Sequence, residues 1–469
     1  MKLDFSPVLG ALLGAFAVTS AELPHTPPSA SVVEVPPGTN ISNPACLTVV
    51  GNHLVFATSN SLTVTGLWSR TGNAPPERLG EVLPLLPPYN CEFTVVSDVL
   101  FFAGRSDNGP GLWRTDGTVA GTAEIRNGIA VQKLTPFRNG IVFAGDDFVS
   151  GNEPWFSDGT EAGTRLLKDI APGSTFSISP NPQIFSFAAT FLNVGDFIYF
   201  GARSDSVSSG LWRTDGTPEG TVRVADLAPW VSGALPQDLF EFGGKVYFSI
   251  NQQSPGLWRS DGTQEGTVHL STVMTCGLGG SGTLLNERFF FGGVLPDGST
   301  GLWSSDGTSA ETRLVAPTGT SYSGCPSELT LSGDFLYYSL PSAAAAVGRD
   351  ALARTDGTTA GSITLGSLDG PTSRIYPTDV AGSLLFASSD PAHGNEIWKT
   401  DGTSESTALW DDVLPGMASS SPQEFKLLGN RLYFVASNSD RQRVLWVLPF
   451  SGGLPLPPRA RRTRTLPPR

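Results

Sequence analysis

Residues able to do chemistry are few in this chain, and they are scattered. The four histidines, His25, His53, His269 and His393, share no ligand spacing, and neither an HExxH pattern nor a nucleophile elbow occurs. Gly277-Leu278-Gly279-Gly280-Ser281-Gly282 matches GxGxxG. A dinucleotide fingerprint, however, must close a strand and open a helix. No helical pattern follows and the segment occupies a strand slot, so it reads as a Gly-rich strand or loop. Oxygen donors are better grouped. One loop holds Asp146, Asp147, Asn152 and Glu153, and another holds Asp390, Asn395 and Glu396. Short loops of carboxylate and amide oxygens are what Ca²⁺ takes, which makes Asp147, Glu153, Asp390 and Glu396 the metal candidates. Against that, EF-hand and RTX spacings are missing and acidic turns are usually just solvated. No other cofactor is implied.

These loops belong to a repeat. Gly111-Leu112-Trp113-Arg114-Thr115-Asp116-Gly117-Thr118 is followed by Gly121-Thr122, and the pattern recurs around Trp212 with Asp215 and around Trp258 with Asp261. Further copies centre on Trp155 with Asp158, Trp303 with Asp306 and Trp398 with Asp401. Degenerate copies centre on Trp68, where Thr71 replaces Asp, on Ala353, where Trp is lost, and on Trp446, where the turn is lost. Neighbouring centres lie 42 to 57 residues apart, the period of a four-stranded propeller blade. Short apolar runs such as Ile198-Tyr199-Phe200 and Leu432-Tyr433-Phe434 precede each centre. They are bounded by turn residues and read as strands buried on both faces. One strand before that turn and one after the DGT loop make four per unit.

Each motif position has a structural account. Trp fills the space between stacked blades, Asp accepts loop N–H groups, and the glycines take backbone conformations that a Cβ opposes. Trp113, Trp212, Trp258 and Trp303 are therefore expected to be largely buried, and the Ala353 blade to be the least well packed. From about residue 30 to 450 the chain resembles the bacterial ELWxxDGT-repeat family of secreted or surface proteins. Most copies depart from it by carrying Gly in the first position. Glu396 and Glu153 keep the Glu, the latter with Pro154 in place of Leu. The resemblance implies an architecture and brings no general activity with it.

The fold class expected is all-β, a single propeller of about nine blades, or eight if the Ala353 unit is not a true blade. The ninth unit lacks a fourth strand. Ser31-Val32-Val33-Glu34-Val35-Pro36-Pro37-Gly38 resembles the fourth-strand segment ending Ala171-Pro172-Gly173. Residues 32–35 are therefore expected to pair antiparallel with the strand holding Leu445 and Trp446, closing the ring. The four cysteines start the first strands of two consecutive pairs of units, so Cys46–Cys91 and Cys276–Cys325 are the expected disulfides.

Composition sets the remaining bounds. Gly (54) and Pro (37) make up nearly a fifth of the 469 residues, which suits short strands and turns. The net charge is −13, and five arginines stand in the last eleven residues, so the rest of the chain is more acidic still. Such a body repels phosphate backbones and argues against nucleic-acid binding. Residues 1–21 read as a signal peptide, with Lys2, the apolar run Val8 to Val18 and small residues at Thr19-Ser20-Ala21. Residues 22–30 form a linker, 31–450 the propeller and 451–469 a disordered Pro/Arg-rich tail. No later run is long and apolar enough to be a transmembrane helix. The expected product is a monomer that is secreted, extracellular, periplasmic or held at the cell surface. A regular scaffold without a catalytic cluster points to a binding module for a protein or glycan. A polysaccharide hydrolase or lyase at the central channel and a structural envelope component are the alternatives.

Overall fold

The computed structural model describes residues 29–36, 41–60, 64–84, 92–172, 191–204, 209–228, 235–250, 255–276, 282–319, 324–341, 350–367, 376–380 and 382–450. The predicted signal segment, most of the linker and the C-terminal tail lie outside them. So do Gly277 to Ser281 of the GxGxxG match. Among the described residues no helix is long and apolar enough to cross a membrane.

Nine antiparallel sheets form a ring, one per repeat, and the protein is a nine-bladed β-propeller. Blades 1 to 8 span residues 44–78, 83–127, 130–166, 192–228, 237–271, 274–319, 327–367 and 378–411, and blade 9 spans 423–449. Blade 4 shows the pattern, with strands Leu192–Val194, Phe197–Arg203, Ser209–Thr214 and Val222–Ala228 paired in sequence order. The Ala353 unit is a complete blade, number 7 in the ring, with its strands at Ser327–Ser332, Phe335–Pro341, Asp350–Thr355 and Ile363–Ser367. First strands of adjacent blades approach one another around the ring, so they stand at its axis.

Closure uses the N-terminal strand. Ser31 pairs with Val447 and Val32 with Trp446, antiparallel, and the Val33 amide donates to the Leu445 carbonyl at 2.9 Å. The strand therefore begins one residue earlier than the sequence comparison places it. Val32 occupies the place of Leu166, which pairs with Trp155 in blade 3, so the two Pro-Gly pairs are offset by one residue.

The core is a set of clusters between blades. One joins Phe137, Phe156 and Leu167 of blade 3 to Ile198, Phe200 and Trp212 of blade 4. The next joins Leu112 and Ile125 of blade 2 to Phe143 and Trp155 of blade 3. Each repeat tryptophan thus seals its blade against the preceding one, where a large aromatic area stabilises most. Trp155, Trp212 and Trp303 are 3%, 7% and 9% exposed. Trp113, Trp258 and Trp398 are more exposed than these but still mostly covered, so the expectation of largely buried tryptophans holds. Trp258 pairs with Phe248, which is followed two residues later by Ile250, where Trp155, Trp212 and Trp303 face Gly145, Ala202 and Gly293. Its indole meets His269 edge-on at 5.2 Å.

Cys276 and Cys325 form the expected disulfide, with Cα atoms 6.1 Å apart, tying blade 6 to the entry of blade 7. The other predicted pair includes Cys91, which lies outside the described residues.

Candidate functional site

Strand pairing fixes two unlike faces. Turns between first and second strands, and loops between third and fourth, lie on one face. Loops between second and third strands, and connections between blades, lie on the other.

The first face is uniform. Among the described residues eight first turns are two residues long, several with positive φ at both positions, as at Ser97-Asp98 and Asn286-Glu287. That is the type I′ geometry matching strand twist. In blades 2 to 8 the loop between third and fourth strands always has seven residues. Blade 4 shows its construction. Asp215 Oδ1 accepts the Thr217 amide at 2.9 Å and the Thr217 hydroxyl at 2.6 Å. The Thr217 hydroxyl accepts the Gly220 amide, and Thr221 donates to the Thr217 carbonyl at 2.7 Å. Thr214 and Thr221 hydroxyls close the loop at 2.8 Å. Gly216 has φ +88°, and a Cβ on Gly220 would fall 2.0 Å from the Asp215 carboxylate. The same Asp-to-Thr bonds recur at Asp116, Asp158, Asp261, Asp306, Asp356 and Asp401. Hydrogen bonding by the following Thr is the leading cause that holds the Asp116, Asp158, Asp215 and Asp261 carboxyls below their ordinary range.

Four of these loops also receive an arginine from the preceding blade. Arg213 of blade 4 donates to the Gly262 carbonyl of blade 5 at 3.4 Å, and Arg259 to Gly307 of blade 6 at 3.1 Å. Arg354 of blade 7 reaches Gly402 of blade 8 at 2.6 Å while lying 4.0 Å over Phe335. Blade 3 has Phe156 in that place, and Arg165 from its fourth strand bonds Gly216 instead, at 2.6 Å. Sequence reasoning overlooked this role, although Arg follows the repeat Trp or its replacement in four copies.

The opposite face is varied. Among the described residues its loops between second and third strands run from two residues, at 107–108, to five, at 147–151 and 295–299. Connections between blades that are described throughout run from two residues, at 128–129, to eleven, at 412–422. Blade 3 presents Phe148 and Val149 here, 67% and 88% exposed, and Met417 after blade 8 is 81% exposed. The Phe148 turn is fixed from beneath. Asp146 accepts the Phe148 amide at 2.8 Å, and Asp147 accepts those of Val149 and Ser150 at 3.0 and 2.7 Å.

The calcium candidates have protein partners. Asp147 caps that turn. Asp390 accepts the Ala392 and His393 amides and the His393 ring nitrogen, the last at 2.9 Å. Glu153, fully buried, accepts the Ile170 and Ala171 amides at 3.0 and 3.2 Å. Glu396, equally buried, accepts the Val413 and Ser420 amides and the Ser420 hydroxyl at 2.6 to 3.0 Å. Burial pushes its carboxyl up to about 7. Among the described residues no three His, Cys, Asp or Glu side chains converge as a metal site.

Carboxylates at the axis also serve the backbone. The first strands of blades 1, 3, 5, 7 and 9 bulge at one equivalent place, with Cys46, Lys133, Asp238, Glu328 and Glu424 at positive φ. Glu92 accepts the Lys133 amide at 2.7 Å, and Glu424 the Leu47 amide at 2.9 Å across the ring closure. Asp238 accepts the Thr275 hydroxyl at 2.5 Å, and burial raises its carboxyl to about 6.

No protein-family model and no curated protein matches the chain. Among solved structures it is similar to a puromycin hydrolase, at 15% identity over 77% of this chain and 61% of that one, TM-score 0.39. It is also similar to a prolyl endopeptidase, at 9% identity over 76% and 54%, TM-score 0.42. The tricorn protease matches at 11% over 83% and 41%, TM-score 0.34. The chain spans less than two thirds of the length of each, and the likeness extends to the fold alone.

Proposed function

We propose that the protein is a binding module that presents the varied face of its propeller to a protein or glycan partner. The observation that carries this reading is the contrast between the two faces. One is built from two-residue turns and, in blades 2 to 8, seven-residue loops, while the other varies in loop and connection length and displays Phe148 and Val149 on a hydrogen-bonded turn. Recognition residues concentrate on loops held by a rigid scaffold, and exposed apolar side chains on a fixed turn are suited to contact. Membership of the ELWxxDGT-repeat family and export to the cell surface or beyond fit the same reading. The rival, a polysaccharide hydrolase or lyase, needs carboxylates converging on a bond. Glu92, Asp238 and Glu424 at the axis instead hold groups of the adjoining blade.

The test is capture of proteins and glycans on the purified chain beside its Phe148→Glu/Val149→Glu variant. A partner retained by the wild type and lost from the equally stable variant is the expected result. Equal retention by both, or no ligand from either source, overturns the proposal.

A further inference from the structure

In eight blades the second and third strands pair a phenylalanine with the repeat tryptophan, from Phe56–Trp68 in blade 1 to Phe434–Trp446 in blade 9. In blades 2, 3, 5 and 9 the two rings are stacked at centroid distances of 6.4 to 6.5 Å. Blade 7 changes both members, setting Tyr338 opposite Ala353. The phenol and the missing indole are thus two departures at one place.

A cleft of about 200 Å³ lies there, between blades 6 and 7. Val315 and Pro317 on the outer strand of blade 6 form one wall, and Tyr338, Leu340, Ile363 and Thr364 of blade 7 form the other. Ala353 pairs with Tyr338 on one side and Thr364 on the other, so the cleft stands over the position from which an indole would project. Leu340 follows Tyr338 by two residues, where Gly145, Ala202 and Gly293 leave room for their tryptophans. It fills part of the seat and leaves the remaining space toward the outer strands. Thr318, Thr359 and Ser362 also line it, the Thr318 hydroxyl donating to the Gly324 carbonyl at 2.6 Å and that of Ser362 to the Thr358 carbonyl at 2.7 Å. The Tyr338 ring is 2% exposed, and its hydroxyl has no hydrogen-bond partner among the described residues. The volume of the cleft suits one ring or a small fused pair, and it is an open cleft with a lining more polar than apolar.

We propose that this cleft is a ligand site for a small planar aromatic molecule bearing one polar ring atom, bound beside the seat that the repeat tryptophan fills in the other blades. The occupant follows from the fold itself, since eight sister blades lodge an indole in the equivalent gap. Tyr338 supplies the polar group that phenylalanine lacks, and the threonine and serine hydroxyls provide a wet entrance. The cleft runs between blades 6 and 7, from Thr359 and Ser362 of the blade 7 DGT loop to Thr318 and Leu340 near the far ends of their strands, three blades away from Phe148 and Val149. It therefore stands or falls independently of the binding function proposed above.

The experiment uses the full chain and three probes: indole, toluene as an apolar ring, and glucose as a pyranose. Ligand-detected NMR and calorimetry should show indole binding to the wild type, at least tenfold weaker in Ala353→Trp and in Thr364→Phe. Tyr338→Phe should weaken indole several-fold and leave toluene unchanged. Indole binding equally well to wild type and folded Ala353→Trp overturns the proposal. So does glucose binding without indole, or no indole binding up to its solubility limit. Should neither filling variant fold, a photoreactive diazirine-bearing indole must label residues 335–341 or 359–364 of the wild type. Labelling confined to other segments is equally fatal.

Discussion

Glu396 carries its negative charge, or its proton, with no exposed surface. It and Glu153 occupy the same place at the start of a third strand, and each clasps an amide seventeen residues later, Val413 and Ile170. The Glu of this motif position thus folds the chain after the fourth strand back over its own blade, and Ca²⁺ is not needed to explain it. Burial raises the Glu396 carboxyl from 4.5 to about 7. Between those values the unfolded chain has released a proton that the folded chain keeps, so stability falls as pH rises through the window. Asp238, raised to about 6, acts in the same direction, as does His393 above its ordinary range, raised mainly by its hydrogen bond to Asp390. The DGT aspartates act oppositely, losing their contribution only as pH falls below about 4. Melting temperature should therefore decline from pH 5 to 7.5, and Glu396→Gln should remove about 2–4 °C of that decline. An unchanged slope in the variant would show that the carboxyl titrates normally.

At the scale of the element, the DGT loop is a latch as well as a turn. The sequence reading reaches its internal bonds, because Asp, Gly and Thr at fixed offsets have few other uses. The docking of one loop on the next blade was beyond it, since Arg213, Arg259 and Arg354 look like ordinary polar residues on an outward strand position. Register explains them. A side chain following the buried Trp position faces the next blade, where it meets the glycine carbonyl. The bulge carboxylates at the axis were missed for a similar reason, as a single Glu such as Glu92 or Glu424 carries no local signal of a neighbour 41 or more residues away. The candidate calcium loops were visible as composition, yet composition does not say which backbone amides an oxygen will meet. Blade 7 lacks its indole and depends more on the latch. Arg354 bonds Gly402 of blade 8 and Gly361 of its own loop while covering Phe335. Arg354→Ala should lower unfolding free energy by about 1–3 kcal/mol, measured by urea denaturation. Arg354→Lys should recover little of it, because an ammonium cannot bond both carbonyls in one plane. Full recovery by Lys would reduce the contact to simple charge.

At the scale of the molecule, nine blades need one joint between first and last, and the chain makes it with very little strand. Only Ser31 and Val32 pair with the last strand, yet the segment contributes more than its ladder. Val33 is 3% exposed within a cluster of Leu54, Trp68, Tyr433 and Leu445, so it belongs to the seam between blades 9 and 1. The Ala30 amide reaches Asp411 of blade 8 at 3.2 Å, and across the same seam Glu424 holds the Leu47 amide. Removing residues 29–36 exposes the Val33 pocket and leaves the strand Arg443–Pro449 with an unpaired edge, a template for pairing with another chain. The loss of one buried valine and its backbone bonds should cost at least about 2 kcal/mol. The truncated chain should accordingly melt several degrees lower and self-associate on size exclusion at concentrations where the full chain does not. Val33→Asp leaves the backbone pairing possible but places a charge in the seam, so it should lower the melting temperature without the self-association. If truncation leaves both melting and elution unchanged, closure rests on the axial carboxylates and the inter-blade core, and the N-terminal strand is dispensable.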